Sequence, residues 1–119
     1  MEQLSKKLMD LGVDVDGVVR RLGGNEALYL AICCKFIRDP NYMTLQEALL
    51  KEDYQSAEAI VHTLKGVAAN LGFIKLENLS KILLQDLKEN RLSALHGDNC
   101  RLTKEYKQII DVLTANRQV

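Results

Sequence analysis

The stretch AIVHTLKGVAANLGF, Ala59 to Phe73, spaces its apolar side chains with the period of an α-helix. At roughly 100° per residue, Ala57, Ile60, Val61, Leu64, Val67, Ala68 and Leu71 fall on one stripe, and His62 falls nearly opposite it. The stripe predicts a helix that buries one side against other helices and holds the imidazole in solvent. Residues three, four and seven apart share a helix face. His62 therefore has Glu58 one turn before it, Lys65 and Gly66 one turn after, and Ala69 two turns after.

Gly66 is out of place on propensity alone, because a glycine inside a helix costs about 1 kcal/mol relative to alanine. A missing side chain one turn from an exposed ring lets another molecule approach closely, and Lys65 can pair with an anion carried by that ring. Imidazole is mostly neutral at pH 7, and the neutral ring has a lone pair for nucleophilic attack. The plainer reading is a surface histidine beside a packing glycine.

Outward from this helix, the rest of the chain also reads as helices. Leu4, Leu8 and Leu11 have helical spacing, so Met1 to Leu11 is either a leading helical turn or two ended by Gly12 or a partly ordered tail. Asp14 or Asp16 caps a short helix carrying Val18, Val19 and Leu22, stopped by Gly23-Gly24. Asn25 caps a helix to about Asp39, with Leu28, Ile32 and Phe36 inward and Cys33 beside them; Pro40 breaks it. A segment from about Tyr42 to Glu52 turns Leu45, Ala48 and Leu49 inward. The central helix then runs from about Tyr54 to Leu71 and closes at Gly72.

The next helix runs from Ile74 or Leu76 to about Asn90, with Leu76, Leu79, Ile82, Leu83 and Leu87 as its core stripe. A short antiparallel connection at Gly72-Phe73 puts His62 level with roughly Lys81 to Gln85. Arg91 to Gly97 reads as a loop, after which Asp98 or Asn99 caps a last helix to about Arg117, burying Leu102, Tyr106, Ile109, Ile110 and Leu113. No segment alternates with period two and no repeat is visible. The fold class is all-α: an antiparallel up-down four-helix bundle with additional short N-terminal helices.

The chain has 119 residues, 47% of them hydrophobic, and one proline, enough for a folded domain without staples. Its 16 basic and 16 acidic residues cancel, which removes the field expected of a general nucleic-acid binder. The three cysteines, Cys33, Cys34 and Cys100, fit neither a disulfide framework nor a zinc-ligand spacing, and reduced thiols in the cytoplasm are expected. The opening residues lack the apolar core of a signal peptide, and no run approaches the length of a membrane helix. There is no G-x-x-x-x-G-K-[ST] motif, so Gly23-Gly24 reads as a turn. His96 stands without a ligand-spaced partner and reads as neutral or structural. Glu58 and His62 are spaced to hold a metal, but the Glu-x-x-His partners of a bundle metal site are missing, so no metal is expected.

The run H-T-L-K-G-x-A-x-x-L-G-F from His62 to Phe73 resembles the signature of histidine phosphotransfer (HPt) domains. Upstream, Gly23-Gly24-Asn25-Glu26-Ala27-Leu28-Tyr29, Phe36, Leu45-x-x-Ala48-Leu49 and Asp53-Tyr54 look like the family's approach to its histidine helix. Downstream, Leu76-x-x-Leu79 resembles the start of its next helix, and the likeness spans about residues 12 to 90. It implies one HPt-like domain over residues 1–119, with 1–11 a leading segment.

By this resemblance, His62 takes a phosphoryl group from a receiver-domain aspartate and passes it to another receiver. Lys65 offsets the phosphate charge, worth about 1 kcal/mol at 4 Å in full solvent, and Gly66 gives access. The chain is then a carrier and not an enzyme. It binds no cofactor of its own, with Mg²⁺ held by the receiver. The implied partners are response-regulator receiver domains and a hybrid histidine kinase, met by a cytoplasmic monomer that binds no nucleic acid and enters no membrane. The same reading holds for a free-standing protein and for a module of a longer kinase.

One position departs from the family pattern. Many members carry a polar residue, often Gln, twenty-two positions after the histidine, where this chain has Leu84. Lys81 or Gln85 is the expected substitute. Leu84, outside the core stripe, is either part of an apolar receiver-docking patch with Ala59 and Ala69 or a boundary residue of the bundle. Two rivals stand beside this reading: the phosphoacceptor module of a chemotaxis-type kinase, which commonly has glutamate at the Leu84 position, and a helical adaptor that is never phosphorylated.

Overall fold

Asp53 opens the central helix by accepting the Ser56 backbone N–H at 3.2 Å. Gly72 closes it in the left-handed region at φ 77°. There the N–H of Phe73 bonds to the Ala68 carbonyl and that of Gly72 to the Ala69 carbonyl, a Schellman ending. In the computed structural model, which describes residues 2–117, this helix is the fifth of seven. They are α1 (Glu2–Asp10), α2 (Val15–Arg21), α3 (Glu26–Phe36), α4 (Asn41–Leu50), α5 (Tyr54–Leu71), α6 (Ile74–Lys88) and α7 (Leu92–Arg117). No strand occurs among the described residues.

The bundle consists of α4 to α7, each packed along its chain neighbour. Side chains close α4 onto α7: the Tyr42 hydroxyl bonds to Thr103 at 2.8 Å, and the Gln46 and Asn99 amides pair reciprocally at 2.8 and 2.9 Å. Tyr42 stacks on Tyr106 with ring centroids 3.9 Å apart, and Phe36 packs edge-on against Tyr106 and Phe73. At 26 residues α7 is about 39 Å long. It thus outruns the 10-residue α4, and its distal half, with Ile109 and Leu113 buried, is covered by α1 and α3.

The N-terminal helices are anchored to the far end of α5. Asp14 caps α2 and Asn25 caps α3 through their side chains. The Asp14 backbone N–H donates to the Gly72 carbonyl at 2.9 Å, and the buried Tyr29 hydroxyl donates to the Leu71 carbonyl at 3.0 Å. The latter satisfies a helix-end acceptor that has no partner within the helix. Burial pushes the Cys33 thiol up to about 11, so this sulfur is an inert core group. Met1 lies outside the described residues; α1 itself is helical and buries Leu4 and Leu8.

Three sequence expectations are corrected. In α3 the buried side is Tyr29, Cys33 and Phe36, while Leu28 is 43% exposed. That helix is apolar nearly all round, so hydrophobicity does not choose a face. In α6, Ile82 is 45% exposed and Leu84 is buried at 6%. Counting from Leu76, Leu84 lies about 80° away and Ile82 about 120°, and α6 packs on both α5 and α7. Its buried arc is therefore wide and takes in Ser80, Leu84 and Asp86.

The third correction is Arg91 to Gly97, which is helix and not loop from Leu92 onward. Asn90 makes the turn at φ 55°, and the Arg91 backbone N–H bonds to the Asp86 carbonyl at 2.8 Å. The Arg91 guanidinium also pairs with the buried Asp86 carboxylate at 3.2 Å, and Arg101 pairs with Asp98. These contacts and the burial of Leu95 override the helix cost of Gly97.

Candidate functional site

His62 projects from the middle of α5 into solvent. The core side of the helix, Ala57, Val61, Leu64, Ala68 and Leu71, is fully packed, and this fixes the rotation that turns the ring outward. A shallow recess beside it is lined by Glu58 and Ala59 of α5 and by Leu84 and Lys88 of α6. Across the Gly72-Phe73 turn, Leu84 is thus level with His62 and Lys88 with Glu58.

Gly66 is exposed, and a Cβ built on it meets nothing within 4 Å. The packing-glycine reading therefore fails. The position is open space beside an open ring, and the fold gains nothing from the missing methyl group. Lys65 is half-buried on the same side. Neither Lys65 nor Lys88 belongs to an ion pair among the described residues, so both ammonium groups are free to meet an anion.

The remaining candidates are distributed differently. Ala69 is half-buried two turns along α5, outside the recess. Lys81 is exposed but engaged with Glu77 of its own helix at 3.4 Å, and Gln85 points to solvent outside the recess. Neither lines the recess in which Leu84 stands at the position of the family's polar residue. The polar side chain that α6 brings to the recess is Lys88, which the sequence reading passed over. Extending the antiparallel count one turn past Leu84 would have found it. Leu84 lines the recess while only 6% exposed, packed as a boundary residue of the bundle is.

The family model of the Hpt domain matches residues 42–115, more than half of the chain. The chain belongs to the Hpt domain family. No curated protein and no solved structure shows a significant match to it. The matched span begins in α4 and ends in α7, so it coincides with the four bundle helices and leaves α1 to α3 outside. Membership implies histidine phosphotransfer within a phosphorelay, among receiver domains and histidine kinases. Hpt domains are phosphocarrier modules and not enzymes with nucleotide sites. No helix of this Hpt domain is long and apolar enough, among the described residues, to cross a membrane.

Proposed function

We propose that His62 is the phosphoacceptor of this Hpt domain, taking its phosphoryl group from an aspartyl phosphate on one receiver domain and delivering it to the aspartate of another. The observation that carries this reading is an imidazole exposed at mid-helix beside the open position at Gly66. The neutral ring's lone pair forms the N–P bond as the P–O bond to the receiver's carboxyl breaks, and the electron pair leaves on that carboxylate. The reverse exchange loads the second receiver. Because the transferred group is positioned and neutralised more than chemically activated, this chain's part is to present the ring, admit the partner past Gly66, and balance charge with Lys65 and Lys88. The receiver supplies Mg²⁺, and the chain binds no cofactor. Its setting is the cytoplasm, with a hybrid histidine kinase upstream.

Incubation with a phosphorylated receiver is expected to leave one acid-labile phosphate on the chain and none on His62→Gln. Lys88→Ala should slow transfer roughly fivefold, the equivalent of about 1 kcal/mol of lost charge pairing, whereas Lys81→Ala, whose ammonium is already engaged, should change it little. Label that survives in His62→Gln would place the acceptor elsewhere.

A further inference from the structure

His96 and Cys100 lie one turn apart on α7, both exposed, with the Cys100 Sγ 3.8 Å from the His96 Nε2. This pair exists only because α7 begins at Leu92; in a loop over 91–97 the two side chains would have no fixed relation. Side chains at i and i+4 are the arrangement by which one helix presents two ligands to a single metal ion. Zinc bonds of about 2.3 Å to sulfur and about 2.0–2.1 Å to nitrogen, at a tetrahedral angle, put the two donors roughly 3.6 Å apart. The observed separation is within a few tenths of an ångström of that. A thiolate with an imidazole selects Zn²⁺ over the oxygen-seeking Mg²⁺ and Ca²⁺.

One chain supplies only half of such a centre. Structural zinc sites close with four protein ligands, yet no group of three His, Cys, Asp or Glu side chains is placed to share a metal among the described residues. His96 borders a recess with Leu50, Tyr54 and Leu92 on one side, and the helix surface between the two ligands is open. Gly97 lies between the two ligands with nothing within 4 Å of its missing side chain, and Ser93, one turn before, is small and exposed.

We propose that His96 and Cys100 are half of a His₂Cys₂ zinc site, completed by the same pair from a second copy of this chain across a two-fold axis. Such an axis lets one surface patch complement itself. Each thiol gives its proton to the buffer as its sulfur bonds to Zn²⁺, and no electron is transferred. The dimer leaves the carrier face open, because His96 borders the α4–α5 connection at Leu49, Glu52 and Tyr54, whereas His62 opens on Leu84 and Lys88 of α6.

The test is sedimentation of the full chain, kept reduced with a non-thiol reductant, during titration with ZnCl₂. A dimer holding one zinc per two chains is expected, dissociated by EDTA. With Co²⁺ in place of Zn²⁺, tetrahedral d–d bands and sulfur-to-cobalt charge transfer should appear. His96→Ala and Cys100→Ser should each abolish both signals while keeping the helical circular dichroism and the labelling of His62. One zinc per chain without dimerisation, a zinc-dependent dimer that survives Cys100→Ser, or no binding at micromolar zinc would each overturn the proposal.

Discussion

At Gly66 stability and access make opposite demands. A methyl group there meets nothing in the fold, so Gly66→Ala should stabilise the domain by about 1 kcal/mol, the usual helix difference between the two residues. Under the proposed function the same methyl group would stand where a receiver approaches His62, so transfer should slow. Urea denaturation and a receiver-transfer assay on one variant measure both. A stabilised variant with undiminished transfer would remove Gly66 from the access role. Leu84 shows the opposite limit. Since it is buried, an aspartate there would lodge a charge against the core, and any loss of transfer in Leu84→Asp would report unfolding as much as docking.

The element that fixes the site is α5, and its register depends on how it ends. Gly72 combines a left-handed backbone with tight surroundings: a Cβ would come within 2.8 Å of the Val18 side chain and 2.9 Å of the Asp14 carbonyl oxygen. Gly72→Ala is therefore expected to cost about 2 kcal/mol or more, combining backbone strain with displacement of α2. Thermal unfolding reads it directly; a loss under about 0.5 kcal/mol would mean that the α2 contact yields freely. At the α6–α7 turn, the Asp86 Oδ2 has no protein donor. Desolvation and the facing Asp98 carboxylate raise the Asp86 carboxyl above its usual range, while hydrogen bonding from Asp86 and Arg101 holds Asp98 below it. The two carboxyls therefore titrate as a pair, with Asp86 holding its proton to higher pH than Asp98.

Over the whole molecule, buried carboxyls set the response to pH. Glu105, 8% exposed on α7, is raised by desolvation, partly offset by the charge of Lys75. A carboxyl raised in the folded state binds its proton more tightly there than in the unfolded chain. Its favourable contribution is thus complete below the usual carboxylate range and is lost as pH rises through the raised value. Glu105→Gln should then be more stable than the parent at pH 7, with the difference vanishing below about pH 4. Chemical denaturation across that interval tests the sign. A less stable Gln variant at pH 7 would show that pairing with Lys75 outweighs burial.

The limits of α5, the outward ring of His62, the stop at Gly72 and the all-helical class were legible in the sequence, because capping, glycine conformation and apolar period act within a turn or two of chain. Which side of α3 is buried, the choice of Leu84 over Ile82, the helical start of α7 and the arrival of Lys88 beside His62 were not. Each depends on how many neighbours a helix has and where they lie. Leu84 competes with Ile82 at similar hydrophobicity, and the more polar Tyr29 is buried ahead of Leu28 with its hydroxyl on the Leu71 carbonyl; only the packing of the helices around a shared core decides which side chain leaves water.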